Sequence, residues 1–198
     1  MPVLVGCADG TDEVERARSL GLADFSAWPR VTVKGPRAAE FLQSQGVPVP
    51  GEILETASLA GGGLIGRTGG AEFFLEDGPG GNNVATIESA LGAGGNGVYR
   101  VLRQDASIVL AGSRGAELLR HVSAYDFVGG ETPGRMVFTR VANLSCMALS
   151  KRFNEIPAWQ FCCDGTYGPY LWETLLEVAH EFGGGIIGLQ ALVPELAP

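Results

Sequence analysis

The chain has only two histidines, four cysteines and no apolar run approaching the 18 residues that mark a membrane-spanning helix. Each scarcity excludes something. A serine or cysteine nucleophile needs a base within hydrogen-bonding reach. His180 falls on the polar side of a helix and His121 near a helix end, so neither is placed to act as one. The cysteines, Cys7, Cys146, Cys162 and Cys163, contain no C-x-x-C spacing. Adjacent Cys162 and Cys163 would point to opposite faces of a strand, so no metal site is expected and the thiols should be reduced and mostly buried. The opening, MPVLVGCADGTDEVERARS, lacks a basic n-region and turns acidic at once, which does not read as a secretory signal. No membrane association is expected, and the expected location is cytoplasmic. Basic residues are outnumbered, 14 Lys and Arg against 22 Asp and Glu, for a net charge of −8. Nucleic-acid affinity comes largely from neutralising phosphates, so no nucleic-acid partner is expected.

What the chain does have is glycine, 30 residues among 198, concentrated around Gly61–Gly70, Gly78–Gly97 and Gly183–Gly185. Such runs separate elements of secondary structure. Strands are predicted at Val31–Val33, Leu64–Arg67, Glu72–Leu75, Tyr99–Gln104 and Ser107–Leu110, and helices at Arg37–Gln45, Val84–Leu91 and Glu117–Val122. Met136–Leu149 reads as a strand or hairpin arm. Ala158–Cys163 reads as a strand with Trp159, Phe161 and Cys163 on one face.

Two segments align without a gap: VTVKGPRAAEFLQSQGV from residue 31 and IVLAGSRGAELLRHVSA from residue 108. In both, a β-branched strand ends in Gly (Gly35, Gly112), Arg follows two places on (Arg37, Arg114), and a helix comes next. This is an internal repeat, near residues 31–46 and 108–123, within a single domain spanning 1–198. A repeat at that distance implies two similar halves rather than a short-unit solenoid. With β-rich sequence between the copies, the expected class is α+β with antiparallel sheets. The two copies are expected to superpose and to lie side by side.

The last helix begins near Pro169, a favoured first helical position, and stops before Gly183. Its apolar stripe comprises Leu171, Trp172, Leu175, Leu176, Val178, Ala179 and Phe182, which puts Trp172 in the core. Tyr170 falls on the polar side with Glu173 and Glu177, and Tyr167 sits in the preceding turn. A rigid ring with a polar tip anchors interfaces, so Tyr167 and Tyr170 are the candidate subunit-interface residues. No catalytic, cofactor-binding or metal-ligating residue is assigned. Gly61-x-Gly63-x-x-Gly66 matches a dinucleotide pattern in letters only, because short strands and not a helix follow it. Asp126 reads as a turn residue. Arg37 and Arg114 read as makers of local ion pairs or turn hydrogen bonds.

LADFSAWPRVTVKGPRAAEFL (22–42) resembles the opening of the folate-binding aminomethyltransferase family, the glycine-cleavage T-protein and its relatives. VLRQDASIVLAGSRGAELLRHVSAYDF (101–127), FTRVANLSCMAL (138–149) and CDGTYGPYLWETLLEVAHEFGGG (163–185) resemble more particularly the gamma subunit of heterotetrameric sarcosine oxidase. The resemblance implies the T-protein folate-binding fold without its C-terminal barrel. It also implies a non-catalytic structural role beside alpha, beta and delta subunits, which would hold FAD, FMN, NAD, tetrahydrofolate and zinc. The implied complex demethylates a small N-methyl amine such as sarcosine, N-methylglutamate or dimethylglycine. Residues 153–160 and 190–193 depart from the motifs of the tetrahydrofolate-using relatives, so no folate or catalytic residue is carried over, and the isolated chain should be catalytically silent. The alternatives are a stand-alone folate-dependent aminomethyl or methyl transferase and a small-ligand-binding module.

Overall fold

Glycine and proline punctuation marks most of the element boundaries. A computed structural model describes residues 13–92, 96–128 and 134–194; Cys7 lies outside them. In chain order the elements are α1 (Glu13–Ser19), β1 (Gly21–Asp24), β2 (Arg30–Lys34), α2 (Ala38–Ser44), β3 (Thr56–Ser58), β4 (Leu64–Gly69), β5 (Glu72–Glu76), α3 (Asn83–Leu91) and β6 (Tyr99–Leu102). There follow β7 (Asp105–Ala111), α4 (Gly115–Val122), β8 (Met136–Val141), β9 (Leu144–Phe153), β10 (Ile156–Asp164), α5 (Gly168–Glu181) and β11 (Gly185–Ile186). The class is α+β with antiparallel sheets. Among the described residues the chain divides into two compact units, one of residues 13–27, 104–128 and 137–194, the other of 28–92, 96–103 and 134–136.

The first unit carries a six-stranded sheet in the order β11-β1-β7-β10-β9-β8. β1 runs parallel to β11 and antiparallel to β7, and β10 is antiparallel to both β7 and β9. The turn between β8 and β9 uses Ala142 and Asn143, both at positive φ (49° and 64°), as a tight hairpin with right-handed strand twist requires. Leu118 and Leu119 of α4 and Leu171, Leu175 and Ala179 of α5 pack on Leu110, Ile108, Trp159 and Phe161. Phe127 sits edge-on to both Trp159 (4.9 Å) and Phe161 (5.7 Å). The sequence places Trp159, Phe161 and Cys163 on one face of β10, and they lie there. Gln160 and Cys162 on the opposite face are buried as well, so this antiparallel strand is covered on both faces.

The second unit is a five-stranded antiparallel sheet, β3-β4-β5-β2-β6. Val31, Val33, Phe73 and Leu75 meet Ala38 and Leu42 of α2 and Val84 and Ile87 of α3 on one face. On the other, Arg30 stands opposite Glu76 in the β2–β5 register and forms a 2.7 Å ion pair, with side chains only 3% and 0% exposed. Thr32 and Phe74 of the same face are also buried.

The repeated segments form matching strand–turn–helix units, β2–α2 and β7–α4, one in each compact unit. They belong to different sheets, so the two strands do not pair with one another. Sequence similarity reveals a shared local path, but pairing partners are set by distant strands. The local paths share their principal turn bonds. Each strand is flanked by two antiparallel partners. Gly35 and Gly112 take φ of +129° and +108°. Their N–H groups donate to Ala71 O (2.9 Å) and Pro157 O (2.8 Å), and their carbonyls accept from Ala38 N (2.9 Å) and Gly115 N (3.1 Å). Arg37 N and Arg114 N donate to the carbonyls of Gly97 and Ser19, against which the two glycine α-carbons are pressed.

Candidate functional site

The turn that presents Tyr167 and Tyr170 is built from its ends inward. β10 stops at Asp164, whose Oδ1 accepts from Thr166 Oγ1 (2.6 Å) and Thr166 N (2.9 Å) and closes a 3-10 turn over Gly165–Tyr167. These two bonds favour the carboxylate and hold Asp164 below its ordinary acid range. Two glycines then press the backbone against the start of β7. A Cβ on Gly165 would overlap the carbonyl oxygen of Gln104, and one on Gly168 would come 2.7 Å from Ala106 Cβ. No space remains beneath the turn for a large side chain, so the rings turn outward. Tyr167 is 54% and Tyr170 48% exposed, and neither joins the core cluster. Glu173 and Glu177 are exposed further along α5. The helix ends as its sequence dictates: Gly183, at φ +72°, donates to His180 O and Gly184 N donates to Ala179 O.

Trp172 departs from the sequence reading. It packs against the core cluster but is half-buried, because the helix turn centres the buried stripe on Leu171, Leu175 and Ala179 and leaves residues 172 and 176 at its border. Trp172→Ala is therefore expected to cost about 1–3 kcal/mol, less than the roughly 2–5 kcal/mol of fully buried Leu175→Ala. Urea denaturation of the two variants side by side checks the order.

The other residues singled out in the sequence have structural positions. His121 and His180 are exposed, and the His121 ring lies 5.1 Å from that of Phe182. Arg37 pairs with Glu40 (3.2 Å) and Arg114 with Glu117 (3.0 Å), both one helical turn on, and Arg114 also donates to Phe182 O. Asp126 accepts from Val128 N in a turn. Gly61 and Gly78 meet backbone to backbone, and Gly66 lies within β4, so the glycine pattern serves the close approach of two loops. Cys146, Cys162 and Cys163 are buried free thiols. Among the described residues no three His, Cys, Asp or Glu side chains gather as metal ligands.

One surface escaped the sequence reading. β6 is an edge strand on which Tyr99, Val101 and Leu102 are 57%, 41% and 63% exposed. Its composition reads as an ordinary buried strand, and only sheet position distinguishes it. A cavity of about 490 Å³ lies between α2 and α3, lined by Phe41, Leu91 and Val98 with the Arg37–Glu40 pair at its rim. Among the described residues, no helix is long and apolar enough to cross a membrane.

No family model matches the chain, and no curated protein matches it. Solved structures do, among them the following two. Glycine cleavage system aminomethyltransferase T from Bartonella henselae aligns with a TM-score of 0.71 at 19% identity, over 90% of this chain and 51% of that one. This chain thus spans about half the transferase's length. Heterotetrameric sarcosine oxidase from Corynebacterium sp. U-96, in complex with pyrrole 2-carboxylate, aligns with a TM-score of 0.68 at 19% identity, over 87% of this chain and 92% of the matched chain. The chain therefore has the α+β fold common to the glycine-cleavage T-protein and a chain of heterotetrameric sarcosine oxidase.

Proposed function

We propose that this chain is a non-catalytic, gamma-type subunit of a heteromeric sarcosine oxidase-like flavoenzyme that oxidatively demethylates a small N-methyl amine. The observation that carries the reading is the asymmetry of coverage: the shared fold accounts for 92% of the sarcosine oxidase chain but 51% of the transferase. Its partners would be alpha, beta and delta subunits, and FAD, FMN, NAD, tetrahydrofolate and zinc would be held there. No folate-binding residue is proposed in this chain. Within residues 153–160, Asn154 and Glu155 form an exposed hairpin turn, and Phe153 packs on Phe25 at 5.4 Å. At residues 190–193, Leu192 and Val193 are buried. No reaction step is assigned to this chain.

The outward-facing Tyr167 and Tyr170 would be covered by a larger subunit, since exposed tyrosines pinned by a rigid turn lose little entropy on binding. Purified from its native source, the chain is expected to co-elute with a yellow flavoprotein; a colourless monomer would contradict the proposal. Tyr167→Ala combined with Tyr170→Ala should weaken assembly by roughly 10- to 100-fold, as loss of one or two interface anchors does. The melting temperature of the isolated subunit should move by less than about 2 °C, because half-exposed rings contribute little to folding. A large fall in melting temperature with normal assembly would show instead that the rings seal the core.

A further inference from the structure

The β9–β10 ladder sets two thiols opposite one another. Cys162 pairs with Met147, so one step on, still inside both strands, Cys163 stands across from Cys146. Residues directly opposite in an antiparallel pair share a face. Both cysteines belong to the core cluster and are buried, at 2% and 5% exposure. Cys162 points to the other face, where its sulfur meets Ser107 Oγ at 3.7 Å.

The hairpin turn fixes the kind of pair this is. Two residues, Asn154 and Glu155, join the strands, and Phe153 opposite Ile156 closes the turn. The closing pair of a two-residue hairpin exchanges backbone hydrogen bonds, and the pairs alternate from there. Cys146 and Cys163 lie an odd number of steps away, at a non-hydrogen-bonded pair. Pro157 supplies an independent check. It shares its parity with Cys163, has no N–H to offer, and turns its carbonyl to Gly112 N on the β7 side at 2.8 Å. At non-hydrogen-bonded pairs the Cα atoms approach to about 4.5 Å and the side chains are closest, within the span that a disulfide bridges.

We propose that Cys146 and Cys163 form an oxidisable dithiol that closes to an intramolecular disulfide on exposure to hydrogen peroxide. The facing Cys146 thiol, as hydrogen-bond donor, favours the thiolate of Cys163 and pulls it below its ordinary range against the opposing effects of burial, Asp105 and Asp164. The same partnership raises the Cys146 thiol, which burial raises further. Cys163, the less deeply buried of the two (5% against 2%) and next to exposed Asp164 at the end of β10, is the attacking sulfur. Its thiolate attacks one peroxide oxygen, the O–O bond breaks, and a sulfenic acid forms as hydroxide leaves and takes up a proton. The Cys146 sulfur then attacks the sulfenic sulfur, the S–O bond breaks, and a second water departs with the Cys146 proton. Two thiols are oxidised to one disulfide as one peroxide is reduced to two waters.

The test is peptide mapping of the full chain treated with hydrogen peroxide, alkylated under denaturing conditions and digested with trypsin without reductant. Cleavage after Lys151 and Arg152 separates the Cys146 peptide from the one that carries Cys162 and Cys163, so a bridge joins two peptides. The expected result is the joined peptide with loss of two of the four thiols, persisting in Cys162→Ala and absent from Cys163→Ala. Fragmentation of the wild-type joined peptide assigns the sulfur directly should Cys163→Ala fail to fold. Separate peptides bearing sulfinic acid, or a bridge to Cys162, would overturn the proposal.

Discussion

Glu76→Ala is expected to destabilise the protein by about 3–5 kcal/mol, the scale on which breaking one half of a buried ion pair is felt. The carboxylate has no exposure and the Arg30 guanidinium almost none. Removing the anion leaves a cation that can neither reach water nor shed its proton. The loss is a large share of the roughly 5–15 kcal/mol that holds a domain folded, so urea titration should show a sharply lowered midpoint. Replacing both residues, Arg30→Met with Glu76→Leu, is expected to recover most of the loss, because an apolar pair of similar volume removes the desolvation penalty along with the attraction. A single variant that loses less than about 1 kcal/mol would mean that water reaches the pair.

Gly112→Ala and Gly35→Ala are each expected to cost more than about 3 kcal/mol, through two effects that add. At φ of +108° and +129° an L-residue is strained whatever surrounds it. The new methyl would also overlap the carbonyl oxygens of Ser19 and Gly97, and at Gly112 it would lie 2.8 Å from Leu20 N. These are backbone atoms, with no rotamer to relieve the overlap. Gly46→Ala is the internal control: its φ is +75° but nothing lies within 4 Å, so only the conformational part remains, about 1 kcal/mol. Chemical denaturation of the three variants should separate them clearly. If Gly112→Ala proves as mild as Gly46→Ala, the matched docking of the two turns contributes nothing to stability.

Those glycines were legible in the sequence because their chemistry is local. A strand ending in Gly, with Arg two places on and a helix beyond, carries its own instructions, and both copies obey them. Tyr167 and Tyr170 were legible for a similar reason, since helical phase and a Gly-Pro turn direct the rings. Trp172 was less so, because phase alone places a residue on a stripe but does not say how far the stripe extends. The two-sided burial of β10 and the bare edge of β6 could not be read from the sequence. The bare edge follows from strand order, which leaves β6 with β2 alone, and the burial of β10 from what the tertiary fold lays on each of its faces. No short window of sequence records that. The Cys146–Cys163 juxtaposition is of the same kind, a product of register between distant positions and not of their spacing.

The pairing of β2 with β6 has a kinetic consequence. β1 meets β7 through contacts such as Leu22 with Leu110, so closing that ladder in an unfolded chain joins points about 90 residues apart. The second unit interrupts the interval, and its own edge pairing brings Val31 against Leu102. Once those strands zip, the open stretch between the two halves of the first unit shrinks to about 17 residues, which lowers the entropy of closure by roughly 1.5 kcal/mol. The contiguous unit thus acts as a splint in folding. It is complete, save for residues 134–136, before α5 and β11 leave the ribosome, and the six-stranded sheet assembles on ends that it has already drawn together.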